Sequence, residues 1–277
     1  MKIIEVKPQI SNFLIANGAD AWLEVVKSAR LSGVPESVSD IDVFNMMFSN
    51  DYGSALEHII IKFFVVLSKG NAPEFLEHRM MSHSGASTRY TSLKEFEIIV
   101  PFHLLKDEKL KSIFMKGVEE SLNSYQKLIE NKCPREIARY TLPFCSASAK
   151  YWCTINLRSL INFLSLRLCV RASPELRSIA SQLYFLLEKE LPIIKDMIGC
   201  RGYMRGVCPE SGTTGYRSGE NKKCPFSNSQ ANSFIPTKSE IKKQHSAEFD
   251  IIFGKNKEKN SINSIQKTIF KKWSEWK

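Results

Sequence analysis

The sequence contains neither a Gly-x-Gly-x-x-Gly fingerprint nor a Gly-x-x-x-x-Gly-Lys-Ser/Thr loop. Both motifs put glycine where backbone must approach a phosphate, so neither a Rossmann dinucleotide crevice nor a P-loop NTPase site is supported. No stretch approaches roughly 18 uninterrupted apolar residues, so no membrane span is expected. The opening Met1-Lys2-Ile3-Ile4-Glu5 has no long apolar core of a signal peptide. Cys-x-x-Cys pairs are also missing. Cys200, Cys208 and Cys224, with His245 far downstream, lack zinc-site spacing, and no metal is expected. The seven cysteines are an odd number, which fits a cytoplasmic protein with reduced thiols better than a disulfide framework. Cys133, Cys145, Cys153 and Cys169 sit among apolar residues and read as core, as do His58 and His103. There is no internal repeat and no recognisable nucleic-acid-binding module.

What remains is a 277-residue chain, 43% hydrophobic and 25% charged, long enough to bury a core. Its net charge of +10 points to an anionic partner. Much of that charge lies after residue 221, in a lysine-rich end from Lys222 and Lys223 to Lys271, Lys272 and Lys277, so it describes the tail more than any site.

Periodicity predicts helices over 21–30 and 42–47, and strands at 59–67 and 96–100, where β-branched and aromatic residues run together. From Asp107 onward Leu110, Ile113, Phe114, Val118, Leu122, Tyr125, Leu128 and Ile129 recur at spacings of three and four, the pattern of one long amphipathic helix. Pro134 is expected in the first turn of another helix. Two more are predicted over 151–170 and 174–191, the second ended by Pro192. The fold class is therefore α+β: a mixed α/β N-terminal part with a sheet, then a mainly helical half, as one domain over 1–199. Residues 200–259 are expected to form a loop-rich extension. Residues 260–277 are expected to form a basic amphipathic helix, with Ile262, Ile265, Ile269, Trp273 and Trp276 packing on the body or a neighbouring subunit.

Two polar blocks stand out. In the first, Glu77-His78-Arg79 is followed by seven residues and then Ser87-Thr88-Arg89-Tyr90. If this end is extended, Ser87 and Arg89 share one face as an anion pocket. The second is Asn156-Leu157-Arg158-Ser159-Leu160-Ile161-Asn162-Phe163-Leu164-Ser165-Leu166-Arg167. As a helix from Ile155 it places Leu157, Leu160, Ile161, Leu164 and Leu168 in one apolar sector, Asn156 and Arg167 on one flank, and Arg158 and Asn162 on the other. Arginines and amides without glutamate or lysine do not build a salt-bridged solvated face. They suit phosphate oxygens and heterocycle edges.

These blocks, with Ala29-Arg30-Leu31-Ser32, Leu56-Glu57-His58-Ile59, Pro134-Arg135-Glu136-Ile137-Ala138-Arg139 and Ala172-Ser173-Pro174-Glu175-Leu176-Arg177, resemble the flavin-dependent thymidylate synthase family over most of residues 1–200. The resemblance implies a homotetramer that binds FAD between subunits and transfers a methylene from methylene-tetrahydrofolate to C5 of dUMP. Reduced flavin then supplies hydride, and NADPH re-reduces it. It also implies that Ser87, Arg89, Arg139 and Arg167 hold the nucleotide, with Ser87 and Arg167 in the catalytic roles. His78, Arg79, Asn156, Arg158 and Asn162 fall on the flavin side.

The sequence departs from the family pattern at five positions. Glu77 stands for the first arginine of the signature, Glu74 for a glutamine, Gly85 for a glutamate, Tyr52 for a histidine and Ser173 for a glutamine. Glu74 and Glu77 imply weaker dUMP binding than a full-signature pocket would give. Two alternatives stay open: a divergent homologue acting on another pyrimidine nucleotide, and a flavin- or nucleotide-binding protein without catalysis.

Overall fold

The computed structural model describes residues 2–50, 52–89, 95–169, 172–195, 197–201 and 204. Strand β1 (Lys2–Glu5) leads to β2 (Gln9–Ile15), and helices α1 (Trp22–Leu31) and α2 (Asp40–Ser49) follow. Ser39 caps α2 by accepting the Asp42 N–H at 3.2 Å. One helical turn, α3 (Gly53–Leu56), opens into β3 (Ile60–Leu67), and another, α4 (Ala72–Leu76), precedes β4 (Met81–Gly85). Then come β5 (Glu95–Ile98), the 23-residue helix α5 (Glu108–Glu130), the single turn α6 (Arg135–Ala138), β6 (Ala149–Asn156), α7 (Leu157–Arg167) and α8 (Pro174–Glu190).

Four strands form an antiparallel sheet in the order β2-β3-β6-β4, while β1 and β5 pair in parallel as a small separate ribbon. Alternation divides the larger sheet. Ile61, Phe63 and Val65 of β3 and Cys153 and Ile155 of β6 are buried on one face, whereas Lys62 and Trp152 are exposed on the other. The buried face packs with α1, α2, α7 and α8 in one core that includes Val25, Phe44, Leu160, Phe163, Leu164, Leu183 and Leu187. Helix α8 is tied to the edge strand by Gln182, which accepts the Ile10 N–H at 2.9 Å and donates to the Pro8 carbonyl at 3.0 Å. A second core joins β5 to α5 through Phe96, Ile98, Val118, Leu122 and Cys145.

The α+β class is as expected, but three local expectations are corrected. The helix predicted over 151–170 is split. Residues 149–156 form the strand β6, hydrogen-bonded on both sides, to β3 and to β4. The aromatic and β-branched run Tyr151-Trp152-Cys153-Thr154-Ile155 suits a pleated surface better than a helix. Asn156 sets the break, with extended backbone (φ −85°, ψ 162°) and a side chain that accepts the Ser159 N–H at 2.8 Å as the N-cap of α7. Pro134 lies just outside α6 as its cap, with ψ 138°, and not in the first turn. Ser87 and Arg89 lie past the end of β4 and share no strand face. The Arg89 N–H turns back to the Ser87 hydroxyl at 3.3 Å.

Strands β1, β2 and β4 carried too weak an alternation to be assigned from sequence. His58 and His103 are exposed, and Cys133 and Cys169 are half-buried, so only Cys145 and Cys153 among these candidates are core. Apart from residues 200, 201 and 204, the extension over 200–259 and the basic helix over 260–277 lie outside the described residues, as do Cys208, Cys224 and His245. No helix among the described residues is long and apolar enough to cross a membrane.

Candidate active site

The β6–α7 junction delivers the second polar block to a cleft of about 460 Å³. One wall is α7, which presents Arg158, Asn162 and Arg167. The opposing wall is the segment between α4 and β4, with Glu77, His78 and Arg79. Glu57 also lines it, and Met80, Ile155 and Leu166 are its apolar lining. Burial of Leu157, Leu160, Phe163 and Leu164 against the sheet leaves the polar positions of α7 on the cleft side.

Each arginine of α7 is held by a carboxylate that sequence spacing could not reveal. Arg158 pairs with Glu57 at 2.7 Å, across 101 residues. It lies directly against Gly53, where an added Cβ would stand 2.4 Å from Arg158 Nε, so the helical turn α3 is a cradle for this guanidinium. Arg167 is bound on three nitrogens: its Nε donates to His78 Nε2 at 2.9 Å, one terminal nitrogen donates to the Glu74 carboxylate, and the other to the Glu74 carbonyl at 3.3 Å. His78 packs edge-on against Phe163 with ring centres 4.7 Å apart. Burial, reinforced by Arg167 and then His83, lowers its pKa from 6.5 to about 4. At neutral pH the ring is therefore uncharged, and Nε2 is free to accept because the proton sits on Nδ1. His83, edge-on to Phe75 at 5.5 Å, is also shifted down by burial.

The cleft thus gathers His78, Arg79, Arg158, Asn162 and Arg167. Asn156 is not part of its lining, because its side-chain oxygen is committed to the helix cap. Ser87, Arg89 and Arg139 do not line it either. The two arginines meet at Glu136: Arg89 pairs with its carboxylate at 3.5 Å, and Arg139 Nε donates to its carbonyl at 3.3 Å. Glu57, Gly53 and Phe163 are the site residues that the sequence reading missed. Their roles depend on contacts between elements far apart in the chain.

Of the substituted positions, Ser173 caps α8 by accepting the Leu176 N–H at 3.3 Å and donates to Asn71 Oδ1 at 2.8 Å. Asn71 in turn donates to buried Glu175 at 2.8 Å, and burial raises the Glu175 pKa. Gly85 faces Tyr151 across the β4–β6 pair, and an added Cβ would lie 2.6 Å from that ring. Tyr52 is exposed. Among the described residues, no group of three or more His, Cys, Asp or Glu side chains could hold a metal ion.

An antiparallel sheet covered by helices on one face, with a cleft at a strand-to-helix junction lined by Arg79, Arg158, Arg167, Asn162, Glu57 and Glu77, defines an α+β protein with a polar, charged candidate site. Residues 14–193 match the family described as thymidylate synthase complementing protein, and the chain belongs to that family. It is 32% identical over 223 residues to a flavin-dependent thymidylate synthase of Geobacter sulfurreducens, which covers 76% of this chain and 95% of the relative. It is 29% identical over 214 residues to one of Clostridium tetani, covering 69% and 85% respectively. The fold is also that of the UMP/dUMP methylase PolB from Streptomyces cacaoi, solved with 5-Br dUMP. The TM-score is 0.58 at 22% identity, covering 70% of this chain and 94% of that one.

Proposed function

We propose that this chain is a flavin-dependent thymidylate synthase that methylates dUMP at C5, with methylene-tetrahydrofolate as the one-carbon donor and NADPH as reductant. The observation that carries this reading is the convergence of Arg79, Arg158, Asn162, His78 and Arg167 on one cleft in a chain of this family. The donor set suits FAD. Guanidiniums complement a pyrophosphate, and the Gly53 cradle holds Arg158 in place for it. Asn162 supplies an amide for a ring edge, and neutral His78 contributes an apolar face without repelling the arginines. When bound, the flavin supplies hydride, so no protein nucleophile is required.

Arg167 is the nucleotide-side residue of the cleft, with Ser87, Arg89 and Arg139 completing the phosphate and pyrimidine contacts. Those three lie apart from the cleft lining in one chain, and a site shared between subunits of a homotetramer, as the family resemblance implies, would bring them to it. The enzyme works in the cytoplasm. Residues 1–199 carry the catalysis.

The test is direct. Protein loaded with FAD should retain a flavin absorption band through gel filtration and should convert dUMP to dTMP when given methylene-tetrahydrofolate and NADPH. A colourless eluate at micromolar protein would overturn the flavin reading. Turnover of UMP in place of dUMP would replace the substrate with another pyrimidine nucleotide.

A further inference from the structure

Two of the guanidiniums that reach the cleft carry a carboxylate from their own chain, Glu57 on Arg158 and Glu74 on Arg167. The two pairs differ in enclosure. The Arg158 side chain is 53% exposed, so water screens its pair, whereas that of Arg167 is 15% exposed and its pair is screened far less. The partners of Arg167 also differ in freedom. Its Nε is fixed on His78, which is wedged against Phe163 within the core. Glu74 sits on the single turn α4 with a side chain 37% exposed, so its carboxylate has a route to water.

We propose that Glu74 is an internal competitor for the anion that Arg167 receives, so that a nucleoside monophosphate binds by exchanging with this carboxylate. The proposal rests on the reading above that Arg167 is the nucleotide-side residue of the cleft. A guanidinium paired to a carboxylate presents little net charge to a phosphate, and an arriving phosphate must either displace that carboxylate or lie beside a like charge. The neutral His78 ring cannot share the charge. The arginine stays in place, the glutamate rotates outward, and affinity is set by the difference between two ion pairs.

Glu74→Gln keeps an acceptor oxygen for Arg167 and removes only the charge, which makes it the informative variant. Calorimetric titration with dUMP should show binding about tenfold or more tighter than in the natural sequence, the size expected for one charge-assisted contact. The gain should vanish when Arg167→Gln is added. Glu74→Asp, which keeps the charge but draws it back by one methylene, should tighten dUMP by a smaller factor and serves as the second variant if the glutamine protein folds poorly. Unchanged or weaker dUMP binding in Glu74→Gln overturns the proposal and makes Glu74 a brace for Arg167, while leaving the thymidylate synthase reading intact. If neither protein binds dUMP, the functional reading falls, and inorganic pyrophosphate decides the competitor role in its place. Tighter pyrophosphate binding in Glu74→Gln upholds that role, and equal binding ends it.

Discussion

His78 shows how one side chain reports on the whole site. Burial and the neighbouring Arg167 hold its folded-state pKa near 4, below the ordinary 6.5. Between those values the unfolded chain takes up a proton that the folded chain refuses. The stabilisation is therefore complete above pH 6.5 and is lost as pH falls through the window toward about 4, an effect of at most about 3 kcal/mol that solvent screening of the half-buried ring brings down to on the order of 2 kcal/mol. Urea midpoints followed from pH 7 to pH 4 should decline, and the decline should flatten in His78→Gln. In Arg167→Gln the His78 pKa, followed by NMR of its ring protons, should rise without reaching 6.5, because burial is the larger cause. The cysteines of the core behave in the opposite sense: burial pushes the Cys153 thiol up to about 12 and Cys145 up to about 11, so both are poor nucleophiles in the folded protein.

The junction of β6 and α7 decides which face of α7 reaches the cleft. Asn156 is the hinge of that change, and its cap should be worth about 1 kcal/mol. Asn156→Ala is expected to lower stability by that amount in denaturant melts, and Asn156→Asp, itself a good cap, should restore it. If the aspartate variant also keeps full FAD affinity, the residue acts only through the helix start. If FAD affinity drops while stability is kept, Asn156 contacts the cofactor as the family resemblance implies. The opposing strand pair holds a second test. Gly85 leaves its side-chain space to Tyr151, whose ring stacks on Phe75 with centres 6.2 Å apart and has little room to move. Gly85→Glu should cost roughly 1–3 kcal/mol by overpacking, and Tyr151→Ala on top of it should recover part of that loss. The absent glutamate at position 85 is thus matched by an aromatic ring on the neighbouring strand, and restoring it alone would not restore a family-like pocket.

At the scale of the molecule, the reading of two groups of nucleotide and cofactor residues requires an assembly. Light scattering should give a tetramer mass at micromolar concentrations, and a monomer mass throughout would remove the shared site. How much of this was legible beforehand follows from the range of the interactions involved. The sequence by itself determined the α+β class, helices α1, α2, α5 and α8, strands β3 and β5, and the candidate arginines and amides. Helical periodicity, strand composition and the scarcity of compensating carboxylates within the Asn156 to Arg167 block are all local properties, carried by residues within one or two turns of each other. Only the tertiary structure decided the rest. Strand β6 read as helix because an apolar run can follow either period, and its pairing with β3 and β4 on both sides broke the tie. Asn156 became a cap because the strand ended there. Glu57 and Glu74 gained their meaning from arginines 101 and 93 residues away, since an ion pair depends on distance in space and leaves no period in the chain.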